Sequence, residues 1–374
     1  MKMKAAVMYE PRKPLVVEEV ELDPPKAGEV LIKMVASGIC HSDVHYYAGD
    51  VPIGLPVILG HEGAGEVAEV GAGVLSVKPG DKVVLSFFPA CGQCRYCQSG
   101  QPMLCDQGNA ALGGTMPDGT RRLHLKDGTD VNNFQYISTF AEYSVVPETS
   151  VIKVDAAAPL DKLCLLGCGF TTGFGSATNA IHIKPGESVV CVGCGGVGLS
   201  AIQGAALSGA GQVIAVDVHE SKLAQAKKFG ATHGVQFRGD VRATIKEIKA
   251  ITGPEGADYG MELVGGPHMN DTTAIAYRSV RKGGTICIVG VGAAELKTLP
   301  IDPISLMAQH KTVKGVMYGA AQVKNDIPRY YELYKQKKIN LDDMVSKVLT
   351  LEQINEGFET VIKGDQVVRQ VIRY

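Results

Sequence analysis

The sequence predicts an α/β protein: a doubly wound, parallel six-stranded sheet in the second half of the chain and a β-rich domain in the first. Up to about residue 150, Gly and Pro punctuate short β-rich runs such as EVLIKMVASG, EGAGEVAEVG and DKVVLSF, as in an irregular, turn-rich β domain. From about residue 186, apolar strands alternate with helical stretches: ESVVCVG, VGLSAIQGAALSG, QVIAVD and ESKLAQAKKFG. Such alternation is βαβ grammar and implies parallel pairing. Further strands are expected at HGVQF, ADYGMELVG, GGTICIVGVG and TVKGVMYG, with VRATIKEIKAIT and MNDTTAIAYRSVRKG as helices between them. Six strands make a complete dinucleotide-binding Rossmann sheet. The domain boundary is expected between about 155 and 185, and no internal repeat or low-complexity segment interrupts the chain.

The 374 residues are 45% hydrophobic and 20% charged, enough for a core without disulfide staples. The 37 basic and 39 acidic residues are interleaved and sum to a net charge of -2, which argues against a nucleic-acid partner. The opening MKMKAAVMYEPRKP has a short apolar run broken by Glu10 and Pro11, and no later stretch reaches the length needed to span a bilayer. A cytoplasmic protein without membrane association is expected. In a reducing compartment clustered cysteines read as metal ligands or redox groups.

Four of the ten cysteines crowd into CGQCRYCQSGQPMLC. Cys91, Cys94, Cys97 and Cys105 have the spacing C-x2-C-x2-C-x7-C, which suits four thiolates converging on one tetrahedral ion. An iron-sulfur cluster is the competing reading, but bacterial and plant-type ferredoxin spacings both differ, so zinc is preferred. A site closed by four protein ligands has no position for substrate. This one reads as a structural clamp, and the chemistry must lie elsewhere.

In VVCVGCGGVG, Gly193, Gly195 and Gly198 form G-x-G-x-x-G between an apolar strand and a helical run, with Gly196 and Val197 completing the turn. The glycines let the backbone approach a pyrophosphate, whose charge meets the free N–H groups at the helix start. A ligand-free Gly-rich turn is the plainer alternative. Asp217 weighs against it: nineteen residues beyond Gly198, at the end of QVIAVD, a carboxylate can accept hydrogen bonds from adenosine ribose hydroxyls and repel a 2'-phosphate. NAD is therefore favoured over NADP. His219 and Lys222 either soften that preference or belong to a solvated helix start.

GICHSDVH, LGHEGAGEVAEVGAGV and LLGCGFTTG place Cys40, His61 and Cys168 as lone potential ligands in separate segments. Taken singly, they read as buried thiols and a satisfied loop histidine. Together with the cysteine clamp and the nucleotide fingerprint, they resemble the zinc-dependent medium-chain alcohol dehydrogenases. GHEGAGEVAEVGAGV looks like that family's zinc signature, with Gly60, His61, Glu62, Gly65, Gly71 and Val74 at the matching positions, and the likeness covers nearly the whole chain.

The resemblance implies a GroES-like catalytic domain at 1–173 and 317–374 and a Rossmann NAD-binding domain at 174–316. It implies two zinc ions per chain and NAD(H). The catalytic zinc would be held by Cys40, His61 and Cys168, its fourth position open to water or alcohol. Glu62 would sit behind the metal and Asp43 would orient His61. Ser42 matches the hydroxyl beside the substrate oxygen, and His45 the histidine that passes the proton to solvent. Lys222 and Val291 fall among the coenzyme contacts, and the C-terminal VVRQVIRY puts Arg369 where the family has an arginine near the pyrophosphate. Val51, Phe87 and Phe140 would wall the substrate pocket, and Cys194, between the first two fingerprint glycines, would make the coenzyme site sensitive to oxidation. A small alcohol or aldehyde substrate and a homodimer or homotetramer complete the expectation.

Two branches of the family compete. APLDKLCLLGCGFTTGFGSA and STFAEYSVVPETSVIKVD look like the branch of glutathione-dependent formaldehyde dehydrogenase. ELDPPKAGEVLIKMVASGICHSDVH, PACGQCRYCQSGQPMLCDQG, DIPRYYELY and QINEGFE resemble the nicotinoprotein, nitrosoaniline-dependent alcohol dehydrogenases, and this second likeness is favoured. The first branch needs basic residues at the pocket mouth for the adduct's carboxylates, with Arg121 and Arg122 as candidates. A non-enzymatic relative that kept the zinc fold is a third reading. The ligand set together with Ser42 and His45 argues against it.

Overall fold

Ser188–Val192 (SVVCV) is buried at every position, as a strand covered on both faces must be, and it anchors a six-stranded parallel sheet. The strands run in the order His233–Gln236, Gln212–Asp217, Ser188–Val192, Ala257–Glu262, Val280–Ile288 and Thr312–Gly315, all paired in parallel. This is the doubly wound order 3-2-1-4-5-6, and its direction of winding reverses beside Ser188–Val192. Val190, Val192, Ile214, Val216, Ile248, Ile275 and Ile286 fill the core on one face. On the helix Gly169–Gly175, Gly173 lies against the carbonyl of Val197, leaving no room for a Cβ. That contact lets the helix approach Gly196–Leu207 backbone to backbone.

The computed structural model describes residues 1–364 and 369–374. The chain divides into two units, Gly169–Ala321, which holds this sheet, and Met1–Cys168 with Gln322–Tyr374. The expected boundaries at 173 and 317 thus fall at Cys168 and Gln322, and the C-terminal segment belongs to the first unit. Val367 and Val368 of the segment that carries Arg369 lie outside the described residues.

The first unit is β-rich. One closed barrel joins Lys2–Met8, Val16–Leu22, Leu123–His124, Asp130–Asn133 and Val57–Ile58. A seven-stranded sheet is centred on Glu29–Ile39, which pairs with Glu62–Val70, Tyr143–Pro147 and Arg369–Arg373. Two strands of this sheet deliver candidate ligands: Ile39 leads straight into Cys40, and His61 immediately precedes Glu62–Val70. Register places Gly38 opposite Glu62 and Ile39 opposite Gln370, so residues remote in sequence meet at one sheet end. Among the described residues no helix is long and apolar enough to cross a membrane.

Candidate active site and metal centres

Cys40 caps the short helix His41–Tyr47, and Asp43 folds back so that Oδ2 accepts the Cys40 N–H at 3.0 Å. The other carboxylate oxygen of this fully buried aspartate takes the Gly60 N–H at 3.2 Å and faces His61 Nδ1 at 2.8 Å. Asp43 therefore fixes the tautomer of His61, with the proton on Nδ1 and the lone pair on Nε2. Nε2 is buried with no hydrogen-bond partner. It belongs to a buried cluster with Cys40, Glu62 and Cys168, whose donor atoms all lie within 4.8 Å of one another.

An orphaned imidazole lone pair beside two sulfurs and a carboxylate is a cation site by its chemistry. The hydrogen bond from Cys168 pulls the Cys40 thiol well below its usual pKa, with the His61 charge adding to it. The same hydrogen bond, with burial, pushes Cys168 well above its own. Burial opposes a charged His61, but Asp43 and Cys40 outweigh it and hold the imidazole well above its ordinary pKa. A divalent ion bound here would take the place of the second imidazole proton, freeing the Nε2 lone pair to ligate it.

The four-cysteine run forms the second centre. Cys91 and Cys97 sulfurs are 4.0 Å apart, and Cys94 and Cys105 sulfurs 3.9 Å. A tetrahedral ion with metal–sulfur bonds of about 2.3 Å demands edges of about 3.8 Å, so the sulfurs are spaced for one ion and are too far apart for disulfides. The Cys91 N–H points at the sulfur of Cys105 at 3.3 Å, and the Cys94 N–H at that of Cys91, also at 3.3 Å. Such N–H donors stabilise thiolates.

In the second unit, Gly193 follows the strand with φ +103° and Gly195 caps the helix Gly196–Leu207. A Cβ on Gly198 would strike the Gly193 carbonyl, whereas one on Gly195 would meet open space. The first requirement is steric closure of the turn, and the second leaves backbone bare to a ligand. Asp217 stands beside this turn: Oδ2 accepts the Cys194 N–H at 2.8 Å and Oδ1 the His219 N–H at 3.0 Å. Just past the ends of three strands, Val218, Val264 and Val291 are 51%, 42% and 51% exposed. Aliphatic side chains left in water at the carboxyl ends of a doubly wound sheet suit the rings of a dinucleotide. Lys222 lies on the next helix, Glu220–Lys228.

Residues 26–156 match the alcohol dehydrogenase GroES-like domain, and residues 196–336 match the zinc-binding dehydrogenase family. The chain belongs to the zinc-dependent alcohol dehydrogenases. It is 41% identical over 367 residues, 98% of each chain, to an NDMA-dependent alcohol dehydrogenase of Amycolatopsis methanolica. A putative alcohol dehydrogenase D of Mycobacterium tuberculosis shows the same identity and coverage. Among solved structures, an alcohol dehydrogenase zinc-binding domain protein from Burkholderia ambifaria superposes with a TM-score of 0.93 at 34% identity, covering 100% of this chain and 99% of its own. Benzyl alcohol dehydrogenase from Acinetobacter calcoaceticus superposes with a TM-score of 0.91 at 32% identity and the same coverage.

In this alcohol dehydrogenase, Ser42 Oγ lies 3.8 Å from the Cys40 sulfur, and His45 follows one turn later on the same helix face. Asp50 Oδ2, 3.1 Å from His45 Nδ1, orients the ring; sequence spacing carried no sign of this partner. Four other residues stand apart from their expected surroundings. Arg369 lies within the first unit, its side chain 5% exposed, with its guanidinium paired to the Glu62 carboxylate and donating to the Ile39 carbonyl at 3.3 Å. A guanidinium shut away from water requires a buried counter-charge, and Glu62 is that charge.

Phe140 is also displaced from its expected role. It is completely buried in the core against Phe358, ring centroids 5.9 Å apart. The aromatics that meet His61 edge-on are Phe87 at 5.5 Å and Phe134 at 5.7 Å, and Tyr46 abuts Phe134 at 4.7 Å. Finally, Cys194 is 1% exposed, and burial followed by the Asp217 charge pushes its thiol well above the usual pKa. A buried, protonated thiol is inert, so the expected oxidation sensitivity does not hold.

Arg122 cannot serve a substrate carboxylate. Its side chain is fully buried, and all five N–H donors are spent on Glu29, Asp118, Thr120 and the Arg121 carbonyl. Arg121 binds Asn132 Oδ1 at 3.0 Å.

Proposed function

We propose that this alcohol dehydrogenase interconverts apolar primary alcohols and their aldehydes, using NAD(H) that stays bound between turnovers. The observation that carries the reading is the unpartnered, buried Nε2 of His61 facing Cys40, Cys168 and Glu62. In this reading Cys40, His61 and Cys168, with Glu62 beside them, would hold the catalytic zinc, and Cys91, Cys94, Cys97 and Cys105 would hold a structural one. Zinc supplies a Lewis acid that lowers the pKa of an alcohol hydroxyl, and NAD supplies the hydride acceptor.

The chain's own residues do the rest. Ser42 accepts the alcohol proton, and His45, held by Asp50, conducts it to solvent. Phe87, Phe134 and Tyr46 exclude water and favour a flat or apolar substrate. Gly193, Gly195, Gly196, Val197 and Gly198 present backbone to the pyrophosphate, Asp217 takes the ribose hydroxyls, and Lys222 and Val291 flank the coenzyme. Likeness to an NDMA-dependent enzyme supports retained coenzyme, and the consumed donors of Arg122 argue against S-(hydroxymethyl)glutathione. The reading includes a cytoplasmic homodimer or homotetramer.

The test is to denature the purified protein, assay released nucleotide, and follow benzyl alcohol oxidation with a nitrosoaniline acceptor and no added NAD. Nucleotide near one per chain and turnover without free NAD are expected. Empty protein that works only with free NAD and prefers formaldehyde plus glutathione would overturn it.

A further inference from the structure

Glu262, at the end of the strand Ala257–Glu262, is completely buried. No cation pairs with it among the described residues. Its carboxylate instead gathers donors from three segments. Oε1 accepts the N–H groups of Val264 at 3.0 Å and Gly265 at 2.9 Å, and the Thr272 hydroxyl at 2.8 Å. Oε2 accepts the N–H of Gly290 at 3.2 Å. Gly290 comes from the turn after Val280–Ile288, and Thr272 from the helix Met269–Arg278. An ionised carboxylate only accepts at both oxygens, and three of its four partners are N–H groups that only donate, the fourth being the Thr272 hydroxyl, which also lies near the His268 and Met269 carbonyls.

Beyond Glu262 the two turns are joined directly. The Gly266 N–H donates to the Val291 carbonyl at 2.7 Å, and Gly266 bridges Gly292 in parallel. A Cβ on Gly290 would strike the Gly265 N–H and Glu262 Oε2. Residues 264–266 and 290–292 therefore form one continuous rim that carries the exposed Val264 and Val291.

We propose that Glu262 is a positioning residue for the coenzyme, fixing the separation of the Val264 and Val291 turns so that the rim is formed before NAD(H) arrives. The proposal rests on NAD(H) occupying this end of the sheet. Preorganisation moves the cost of ordering two loops from binding to folding, and this tightens retention without any contact between Glu262 and the ligand. The two oxygens are unequal, which makes the proposal specific. In Glu262→Gln the amide carbonyl keeps the place of Oε1, where three donors converge, and its NH2 then faces the Gly290 N–H. The lesion falls on the 290–292 turn and spares 264–266.

Wild type and Glu262→Gln are stripped of nucleotide, and NADH binding is measured by fluorescence alongside metal content, thermal unfolding and amide hydrogen exchange. The expected result is a Kd for NADH raised about tenfold, the scale of one hydrogen bond to a charged group. Zinc content should be unchanged, and exchange should be faster in peptides covering 289–292 but not 263–268. Saturating NAD should reverse most of the loss of turnover. Thr272→Val removes one donor and adds none, so it remains informative if the first variant fails to fold; a smaller rise in Kd is expected. An NADH Kd within about twofold of wild type in a foldable variant that merely unfolds at lower temperature would overturn the proposal, reducing Glu262 to a stability role. Wild type that binds no NADH would overturn the coenzyme reading itself, and the wild-type titration separates the two failures.

Discussion

Glu62 and Arg369 form a buried ion pair, and the Glu62 carboxylate stands within 4.8 Å of the sulfurs of Cys40 and Cys168. Gly38, across the sheet from Glu62, leaves room for it: a side chain there would occupy the place of the Glu62 carboxylate. The arginine thereby balances one of the negative charges gathered around the metal cluster.

Arg369→Leu should destabilise the first unit by about 3–5 kcal/mol, because it strands a buried carboxylate. Adding Glu62→Gln to that variant should recover a large part of the loss. Urea unfolding of the two single variants and the double variant measures the coupling. Additive single effects would show that the pair is not energetically linked.

The two metal centres should separate by mutation. Cys94→Ser should lose one zinc and much of the stability, since the binding free energy of a closed site contributes to folding. Cys40→Ser should abolish turnover and leave most of the fold. After chelation of zinc, Cys94 should alkylate before Cys97 at neutral pH. The Cys97 backbone N–H, with other donors, holds the Cys94 thiol at about 6, whereas burial pushes Cys97 up to about 12. Mass spectrometry of partially alkylated protein reads the order, and metal analysis of the untreated protein counts the ions.

Asp217→Gly should lower the preference for NAD over NADP by about 1–3 kcal/mol, the scale of a hydrogen bond to a charged group. The shift should come more from weaker NAD than from better NADP, because Asp217 also holds the Cys194 and His219 N–H groups in the turn. The ratio of kcat/KM values for the two coenzymes measures it, and an unchanged ratio would remove Asp217 from the site.

Lys311 supplies a pH dependence in the second unit. Its ammonium donates to the Tyr277 carbonyl at 2.9 Å, and burial, then the nearby Lys249, lowers its pKa from 10.5 to about 8. Between those two values the unfolded chain binds more protons than the folded one, so folding stability rises with pH across that window. Wild type should therefore gain on Lys311→Met as pH is raised from about 8 towards 10.5. Denaturation midpoints of both proteins across the window check the sign.

What the sequence disclosed depended on the range of each signal. The fingerprint glycines and the four-cysteine run declare themselves through spacing along a single turn or loop, and the six strands through alternation. Arg369 and Glu62, Glu262 and Gly290, and His45 and Asp50 are matched by folding, and a side chain's polarity does not announce its partner. Phe134 and Phe140 show the limit within one segment. Both are aromatic in a β-rich run, and Gln135, Tyr136 and Ser138 all take left-handed backbone angles between them. That reversal sends Phe134 to His61 and Phe140 to Phe358. Left-handed conformations in three non-glycine residues have no compositional signature.

The enclosure of Arg122 sets terms for anyone redesigning this enzyme. The stretch from Gly114 to Val131 invites shortening, since its hairpin tips are rich in Gly, Asp and Thr. Yet Arg122 runs inward from it to clasp Glu29 at the head of the strand that leads into Cys40. A truncation that removed the arginine and left the glutamate would abandon an anion in the interior. Loop grafts here should therefore exchange positions 29 and 122 together, as a matched cassette, with Glu29→Gln or an apolar residue accompanying any deletion.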